Sequence, residues 1–217
     1  MLYTDRGVKW LSQFDHEDRE NASKLVTGLT LISHNEFERN LLTLIEIEVN
    51  AVKGKVALFA VREVEKDISF FKQAMTLTNN GPTLDSLNRG NDHGSEARVA
   101  SMIRNFCKQS SGKALNHPSL EEIKAEKCNE IIFIDDFIGS GQRVLDYLAS
   151  FWSERTIVSW VSFKYLKFRV ISYSGIEEGV KNIEKHKSNP VISFYRSCPT
   201  IDLMPWVKVK RDAVIEL

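Results

Sequence analysis

The chain has 217 residues, of which 42% are hydrophobic and 27% are charged, a mixture typical of a folded globular protein rather than a disordered one. Lysine plus arginine and aspartate plus glutamate number 29 each, so the zero net charge gives no overall attraction to nucleic acid or to a membrane surface. Three widely spaced cysteines, Cys107, Cys128 and Cys198, argue against a zinc site of CxxC spacing and favour a reducing compartment. The sequence shows no signal peptide and no apolar run long enough to span a membrane, and we expect a cytoplasmic protein.

Two amphipathic helices are predicted ahead of the first strand. Asp15 is the candidate cap of the first helix. Ser33 and Glu36, three residues apart, form a capping-box pattern at the start of the second, and apolar residues at helical spacing follow them. We therefore expect residues 1–50 to be a helical N-terminal elaboration and residues 51–217 to be one α/β domain.

The first predicted strand is the apolar run at residues 55–61, whose composition suits a strand buried on both faces, as in a parallel sheet. Turn-forming residues then fill positions 76–94, a longer loop than compact domains normally carry. Loops of this length are usually functional lids or disordered segments. Ser95 is expected to cap the helix that follows.

Strands and helices alternate in the second half of the chain, which predicts an α/β fold with a mainly parallel sheet. Glycine, proline and serine residues separate the periodic segments and set their limits. The predicted strands lie at 131–134, 157–163, 168–173 and 191–195, and the predicted helices at 119–126, 143–151 and 177–185.

The segment with the most chemical content runs from Ile131 to Arg143. A buried strand ends in Asp135 and Asp136, and Gly139-Ser140-Gly141 then turns the chain into a helix. Glycines and a helix N-terminus offer backbone N–H groups to an anion, so the turn suits a phosphate. The two carboxylates would repel a phosphate and suit hydroxyl groups or a hydrated Mg²⁺ instead. This order predicts a sugar phosphate, with its hydroxyls on the acids and its phosphate in the turn.

Four apolar residues, two acids, two apolar residues and a small-hydroxyl/glycine turn resemble the signature of type I phosphoribosyltransferases. These enzymes bind phosphoribosyl pyrophosphate (PRPP), with the acidic pair on the ribose hydroxyls and the turn around the 5′-phosphate. The resemblance implies a phosphoribosyltransferase-like (Rossmann-like) fold, in which helices flank a mainly parallel sheet. It makes Asp135 and Asp136 the ribose contacts. The residues that it places around the phosphate are Gly139, Ser140, Gly141, Gln142 and Arg143.

This chain departs from the family pattern inside the turn. Gly139 and Arg143 stand where threonines are common, and Gln142 stands where glycine or alanine is common. The departures put the affinity for a phosphate in question, although the Arg143 guanidinium offers a charge-assisted contact.

The resemblance also covers the strand at 55–61, because the family's pyrophosphate loop follows the corresponding strand. Arg62 then becomes the candidate that neutralises the leaving pyrophosphate together with Mg²⁺, and it joins the two aspartates as a catalytic residue. A solvated surface arginine is the plain alternative. The loop at 76–94 takes the place of the family's catalytic lid. Three candidate residues lie in or beside that loop: Lys72, Arg89 and His93.

Two features outside the motif have weaker functional interpretations. Tyr173, at the end of a predicted strand, is a candidate to stack on a substrate base, and a sheet-edge aromatic is the alternative. The basic residues at 208–211 could contact nucleic acid, but a solvated edge strand fits them as well.

The chain also resembles the phosphoribosyltransferase-like effectors of bacterial conflict and retron-type antiviral defence systems. The features behind this are Trp10 and Phe14 in the helical N-terminus, Gly94-Ser95-Glu96 at a helix start, and the Phe-Ile-Gly-Ser-Gly turn at 137–141. The resemblance implies a protein or nucleoprotein partner in a defence complex, and it leaves a homo-oligomer open.

The sequence leaves two functions open. One is transfer of a phosphoribosyl group from PRPP to a base or another acceptor with release of pyrophosphate, with Mg²⁺ as the expected cofactor and its ligands unassigned. The other is a catalytically silent module on the same fold that senses PRPP or a nucleotide or binds a protein, which the altered turn favours. A P-loop NTPase is not supported, because GxxxxGK[ST] does not occur.

Overall fold

The computed structural model describes residues 2–64, 69–71, 94–204, 212, 214 and 215. The chain divides into two compact units, the first made of residues 1–33 and 199–217 and the second of His34–Cys198. The boundary that the sequence places at residue 50 stays a prediction.

The first unit contains the helices α1 (Asp5–Leu11) and α2 (Arg19–Gly28) and a short 3-10 helix at Ile201–Leu203. Asp18 directly precedes α2, so the prediction that Asp15 caps this helix is wrong. Asp15 contributes its backbone carbonyl instead, which accepts hydrogen bonds from the N–H groups of Asp18 and Arg19.

The second unit is a five-stranded parallel sheet flanked by helices, which confirms the predicted α/β class. The strands are β1 (Lys55–Ala60), β2 (Ala114–Asn116), β3 (Cys128–Ile138), β4 (Lys167–Gly175) and β5 (Val191–Ser197), in the spatial order β2-β1-β3-β4-β5. The helices are α3 (His34–Ala51), α4 (Ser95–Gln109), α5 (Leu120–Ala125), α6 (Gln142–Trp152), α7 (Arg155–Ser162) and α8 (Glu177–Glu184).

The core lies on both faces of the central strands, as the unbroken apolar runs of β1 and β3 predict. On one face, Phe151 of α6 contacts Phe59, Phe70 and Phe133, with ring centroids 4.4–5.0 Å apart. Aromatic contacts at these distances stabilise the packing of α6 against the sheet. On the other face, α3 packs against β4. This arrangement fixes the start of α6 at the end of β3.

The prediction of a strand at 157–163 is wrong, because this segment forms α7. Its apolar residues Ile157, Trp160 and Val161 recur at helical spacing, and all three pack onto the core. The β-branched residues between them favour a strand locally, but tertiary packing decides the outcome. The three-residue strand β2 is not predicted at all, since it forms only by pairing with β1.

The start of α5 follows the sequence prediction. Ser119 accepts a hydrogen bond from the Glu122 backbone N–H, and the Glu122 carboxylate accepts one from the Ser119 N–H, which completes a capping box. Most of the predicted lid at 76–94, and the basic residues at 208–211, lie outside the described residues. Within the part of the chain that the structure describes, no helix is long and apolar enough to cross a membrane.

Candidate functional site

Apart from Tyr173, the predicted site residues lie at or just after the ends of β1 and β3, which pair side by side and end at the same edge of the sheet. The chain leaves β1 towards β2 on one side, and it leaves β3 towards β4 on the other. This reversal of strand order opens a crevice in parallel α/β sheets, and ligands of such folds bind there. Arg62 lies just after the end of β1, and Asp135 and Asp136 lie near the C-terminal end of β3. The topology therefore brings residues more than 70 positions apart to one edge.

Asp135 is the most perturbed acid of the site. Only 3% of the residue is exposed, and its Oδ2 has no hydrogen-bond partner among the described residues. Its Oδ1 accepts a hydrogen bond from the Asp136 backbone N–H at 2.9 Å. Burial raises the pKa of Asp135 to about 7, while the Arg143 guanidinium opposes this rise. A carboxyl group with a free buried oxygen and a pKa near neutrality can accept from, or donate to, a ligand hydroxyl.

Arg143 lies across the acidic pair. Its guanidinium is 3.7 Å from the Asp135 carboxylate and 3.9 Å from that of Asp136, and 3.5 Å from the carboxylate of Glu96 on α4. These separations are longer than the donor–acceptor distance of a well-formed charge-assisted hydrogen bond, which is about 2.8 Å. Arg143 therefore balances the negative charge without occupying the acids' hydrogen-bonding capacity.

The turn between β3 and α6 is held from behind by α8. Gly141 adopts φ +82°, a left-handed conformation that favours glycine, and a Cβ there would lie 2.6 Å from the Gly179 carbonyl oxygen. A Cβ on Gly179 would in turn lie 1.9 Å from the Gly139 carbonyl oxygen. Ser140 and Gln142 are exposed on the outer side. The glycines thus permit close backbone approach to α8, and Asn182 of α8 donates a hydrogen bond to the Ser140 carbonyl oxygen.

Side chains at the start of α6 are partly engaged within the protein. The Ser140 hydroxyl accepts a hydrogen bond from the Gln142 backbone N–H at 3.3 Å, and the Gln142 amide donates to Asp146 at 2.7 Å. The first turn of any α-helix leaves backbone N–H groups without intrahelical acceptors. The turn therefore offers an anion donors from the backbone and from the Arg143 side chain.

A depression of about 230 Å³ joins the end of β1 to the start of α6, and its lining residues are Arg62, Glu63, Val64, Arg143 and Asp146. The Arg62 guanidinium lies 5.2 Å from the centroid of the Phe70 ring, within cation–π distance. Arg62 and Arg143 are far apart in the sequence, and both are predicted to contact phosphate groups. The structure therefore brings them to the lining of one depression.

Tyr173 lies elsewhere. Strand alternation places its side chain on the α3 face of the sheet, where Phe37 and Tyr195 contact it at centroid distances of 5.0 and 5.4 Å. Only 3% of the residue is exposed, and its hydroxyl has no hydrogen-bond partner among the described residues. A base could stack on Tyr173 only if these neighbouring rings moved.

His117 is a site neighbour that the sequence placed only in a loop. Its Nε2 accepts a hydrogen bond from the Ala60 N–H at 2.9 Å, so the proton of the neutral ring sits on Nδ1, 2.8 Å from Asn116 Oδ1. Burial lowers the pKa of His117 to about 3, and the charges of Arg62 and Arg104 add to this effect. The contact fixes the end of β1 two residues before Arg62. No sequence motif indicates it.

Metal binding would need ligands beyond the side chains of the described residues. These contain no cluster of three or more histidine, cysteine, aspartate or glutamate residues that could hold a metal ion. Mg²⁺ is commonly held by one or two carboxylates together with phosphate oxygens of a substrate. Glu63 and Asp146 line the depression and could supply those carboxylates. The donor set therefore fits Mg²⁺ that arrives with a phosphorylated ligand. The predicted lid residues Lys72, Arg89 and His93 lie outside the described residues.

The comparisons with known proteins identify a family but no similar individual protein. No curated protein and no solved structure is detectably similar to the chain. One family model, PRTase-CE, covers residues 8–212 and thus includes β1, β3 and the turn that carry the site. Because this match spans nearly the whole sequence, the chain belongs to the PRTase-CE family of phosphoribosyltransferase-like, conflict-system effector-like proteins.

Proposed function

We propose that this protein binds PRPP or a related ribose phosphate and transfers the phosphoribosyl group to a base or another acceptor with release of pyrophosphate. The observation that carries the proposal is the buried Asp135 carboxyl, which has an unpartnered oxygen beside a glycine turn and Arg143. An orphan acceptor in a crevice is costly unless a ligand or water satisfies it. The family match supports the ribose-phosphate class of ligand.

In the proposed complex the two acids hold the ribose hydroxyls. At a pKa of about 7, Asp135 is largely neutral in slightly acidic solution, which reduces its repulsion of a phosphorylated ligand. Asp136, with about a quarter of its side chain exposed, offers a second carboxylate at the surface of the crevice. The pair thus orients the sugar, and the Asp136 carboxylate favours the positive charge that develops on the ribose as the pyrophosphate departs.

Arg62 and Arg143 supply the positive charges for the phosphate groups. Both line the depression, so the ends of a doubly phosphorylated sugar can lie on two cations at once. As the bond between the anomeric carbon and the pyrophosphate oxygen breaks, Arg62 stabilises the charge that accumulates on the leaving group. Bound Mg²⁺ would add charge neutralisation on the pyrophosphate. The acceptor nitrogen then forms the new bond to the anomeric carbon.

The Arg143 contacts also favour a second candidate, a catalytically silent sensor of PRPP or a nucleotide. Its guanidinium spans the acids and Glu96, so a ligand has to displace an existing charge arrangement. A sensor can couple such a displacement to a partner without turnover. We propose that the partner is a protein or nucleoprotein of a defence complex, in keeping with the family, and that a homo-oligomer is the alternative.

The test combines binding with turnover. Isothermal titration with PRPP and Mg²⁺ should show saturable binding, and the Asp135→Asn/Asp136→Asn variant should not bind. Pyrophosphate release, followed with a panel of nucleobases, then separates the two candidates. Release that depends on an acceptor supports the transferase, whereas binding without release supports the sensor. Absence of binding to PRPP, ribose 5-phosphate and nucleotides by the wild-type protein would overturn both.

A further inference from the structure

Tyr147 is a buried polar residue that the proposed reaction leaves unused. It lies on α6, has no exposed surface, and its hydroxyl has no hydrogen-bond partner among the described residues. A buried hydroxyl without a partner is destabilising, and native proteins carry few such groups. Phenylalanine would fill the same space without this cost. The hydroxyl therefore calls for an explanation in terms of its surroundings.

Those surroundings are the cationic side of the proposed site. The Tyr147 ring is 5.4 Å from the Phe70 ring, over which the Arg62 guanidinium lies at 5.2 Å. Arg143 is one helical turn before Tyr147 and on the same side of α6. Burial raises the pKa of Tyr147, and the positive charge of Arg62 opposes that rise. Glu96, which contacts Arg143, adds a smaller effect in the raising direction.

We infer that Tyr147 is a positioning residue for anion binding: when a phosphate group binds, the Tyr147 hydroxyl oxygen accepts a hydrogen bond from Arg62 and holds that guanidinium in the depression. A guanidinium has five N–H donors and no acceptor, so it can bond to the tyrosine oxygen and to a phosphate group together. Hydrogen bonds in ligand-free sites are often long and shorten when the ligand binds. The Phe70 ring, which the Tyr147 ring contacts, supports the guanidinium from one side.

The inference rests on the proposed function, because it assigns to Arg62 the role of contacting a pyrophosphate group. It adds a residue that neither the motif nor the lining of the depression includes. The hydroxyl acts through Arg62, so its removal should weaken anion binding and leave the core intact.

The test is Tyr147→Phe, which removes one oxygen atom and keeps the ring. Titration with inorganic pyrophosphate and MgCl₂ should show an affinity about fivefold to tenfold lower than that of the wild type, the size expected for one hydrogen bond to a charged group. The melting temperature should stay the same or rise, since the unpartnered hydroxyl is lost. Tyr173→Phe is the matched control, because it removes a second buried, unpartnered hydroxyl on the opposite face of the sheet. It should leave pyrophosphate affinity unchanged.

A double-mutant cycle tests whether the effect passes through Arg62. In an Arg62→Ala background, Tyr147→Phe should cause no further loss of affinity. The inference is overturned if Tyr147→Phe binds pyrophosphate as tightly as the wild type, or if it lowers the affinity equally without Arg62. If the wild type binds neither pyrophosphate nor PRPP, the proposed function is wrong, and so is the inference that rests on it.

Discussion

In the unit that contains the sheet, two arginines each lie near at least two carboxylates. The distances between guanidinium and carboxylate are much shorter at one end of β3 than at the other. At the beginning of the strands, Arg169 of β4 donates to Glu48 of α3 at 2.5 Å and to Glu130 of β3 at 2.8 Å. All three side chains are largely buried. The short distances and the burial describe a closed ion-pair network that joins a helix to two strands.

At the end of β3, Arg143 stands 3.5–3.9 Å from three carboxylates, and the buried Oδ2 of Asp135 stays without a partner. The charge types at the two ends are the same, but only one network is saturated. A saturated network holds elements together, whereas an unsaturated one keeps donors and acceptors available for a ligand. This difference favours the end of β3 as the binding site on grounds that do not depend on the sequence motif.

The largest expected effect is on ligand binding at the end of β3, where the Arg143 network is unsaturated. Asp135→Asn/Asp136→Asn should reduce the affinity for ribose 5-phosphate by more than about a hundredfold. Amides would replace the two acids that we propose accept hydrogen bonds from the ribose hydroxyls, and each hydrogen bond to a charged group contributes about 1.5–3 kcal/mol. Isothermal titration measures the affinity, and circular dichroism checks that the fold persists. Unchanged affinity in a folded variant would show that the acids do not hold the sugar.

The next effect concerns stability and contrasts the two arginines directly. Arg169→Met should lower the free energy of unfolding by about 3–5 kcal/mol, because it leaves two buried carboxylates without their cation. Arg143→Met should cost about 1 kcal/mol or less, since its contacts are long and 38% of its side chain is exposed. Urea denaturation measures both. Equal losses for the two variants would contradict the distinction between a closed and an open network.

A smaller effect should appear in the pH dependence of stability. The pKa of Asp135 is raised to about 7 in the folded protein, so its contribution is fully present below its ordinary pKa of 3.8 and is lost as the pH rises through 7. Between pH 5 and pH 8 this contribution should fall by about 2–3 kcal/mol. Urea denaturation of the wild type and of Asp135→Asn at both pH values measures it. The variant should lack this decline, while Asp136→Asn should keep a decline because the Asp135 carboxyl remains.

Much of the fold and the centre of the site could be predicted because their signals are local. The apolar run of β3, its acids and its glycine turn are contiguous, so one short segment specifies strand, crevice and helix start. Arg62 is added from the family resemblance, in which the pyrophosphate loop follows the strand that corresponds to β1. The structure brings it to the same depression as Arg143.

The residues that could not be predicted owe their positions to tertiary contacts. Glu96, His117 and Tyr147 lie on other elements or deeper in α6, and no local pattern links them to the acids. The face that Tyr173 occupies depends on strand register, since a shift of one residue would turn it to the other side. The local sequence of α7 predicts a strand, and only the packing of its apolar residues against the core shows that they recur at helical spacing.

The smallest expected effect tests whether α8 holds the turn in its ligand-ready shape. In Gly179→Ala the new Cβ would meet the Gly139 carbonyl oxygen at 1.9 Å, so the backbone of the turn has to move. Steric strain of about 1–3 kcal/mol should be partly offset by the better helix propensity of alanine, about 1 kcal/mol, which leaves a net loss of about 1 kcal/mol. Urea denaturation measures that loss, and titration with ribose 5-phosphate should show a reduced affinity.

Gly94→Ala is the control for this substitution, because among the described residues, its chain neighbours apart, no atom lies within 4 Å of a Cβ at Gly94. Because Gly94 is the N-cap residue of α4, alanine there should also cost about 1 kcal/mol of stability, but it should leave the affinity for ribose 5-phosphate unchanged. A moderate stability loss in Gly179→Ala with unchanged affinity would mean that the ligand does not use the turn backbone. Reduced affinity with nearly unchanged stability would instead mean that the contact between Gly179 and the turn shapes the end of β3 for ligand binding. The Arg169 network at the start of the strand would, in contrast, contribute to the stability of the fold.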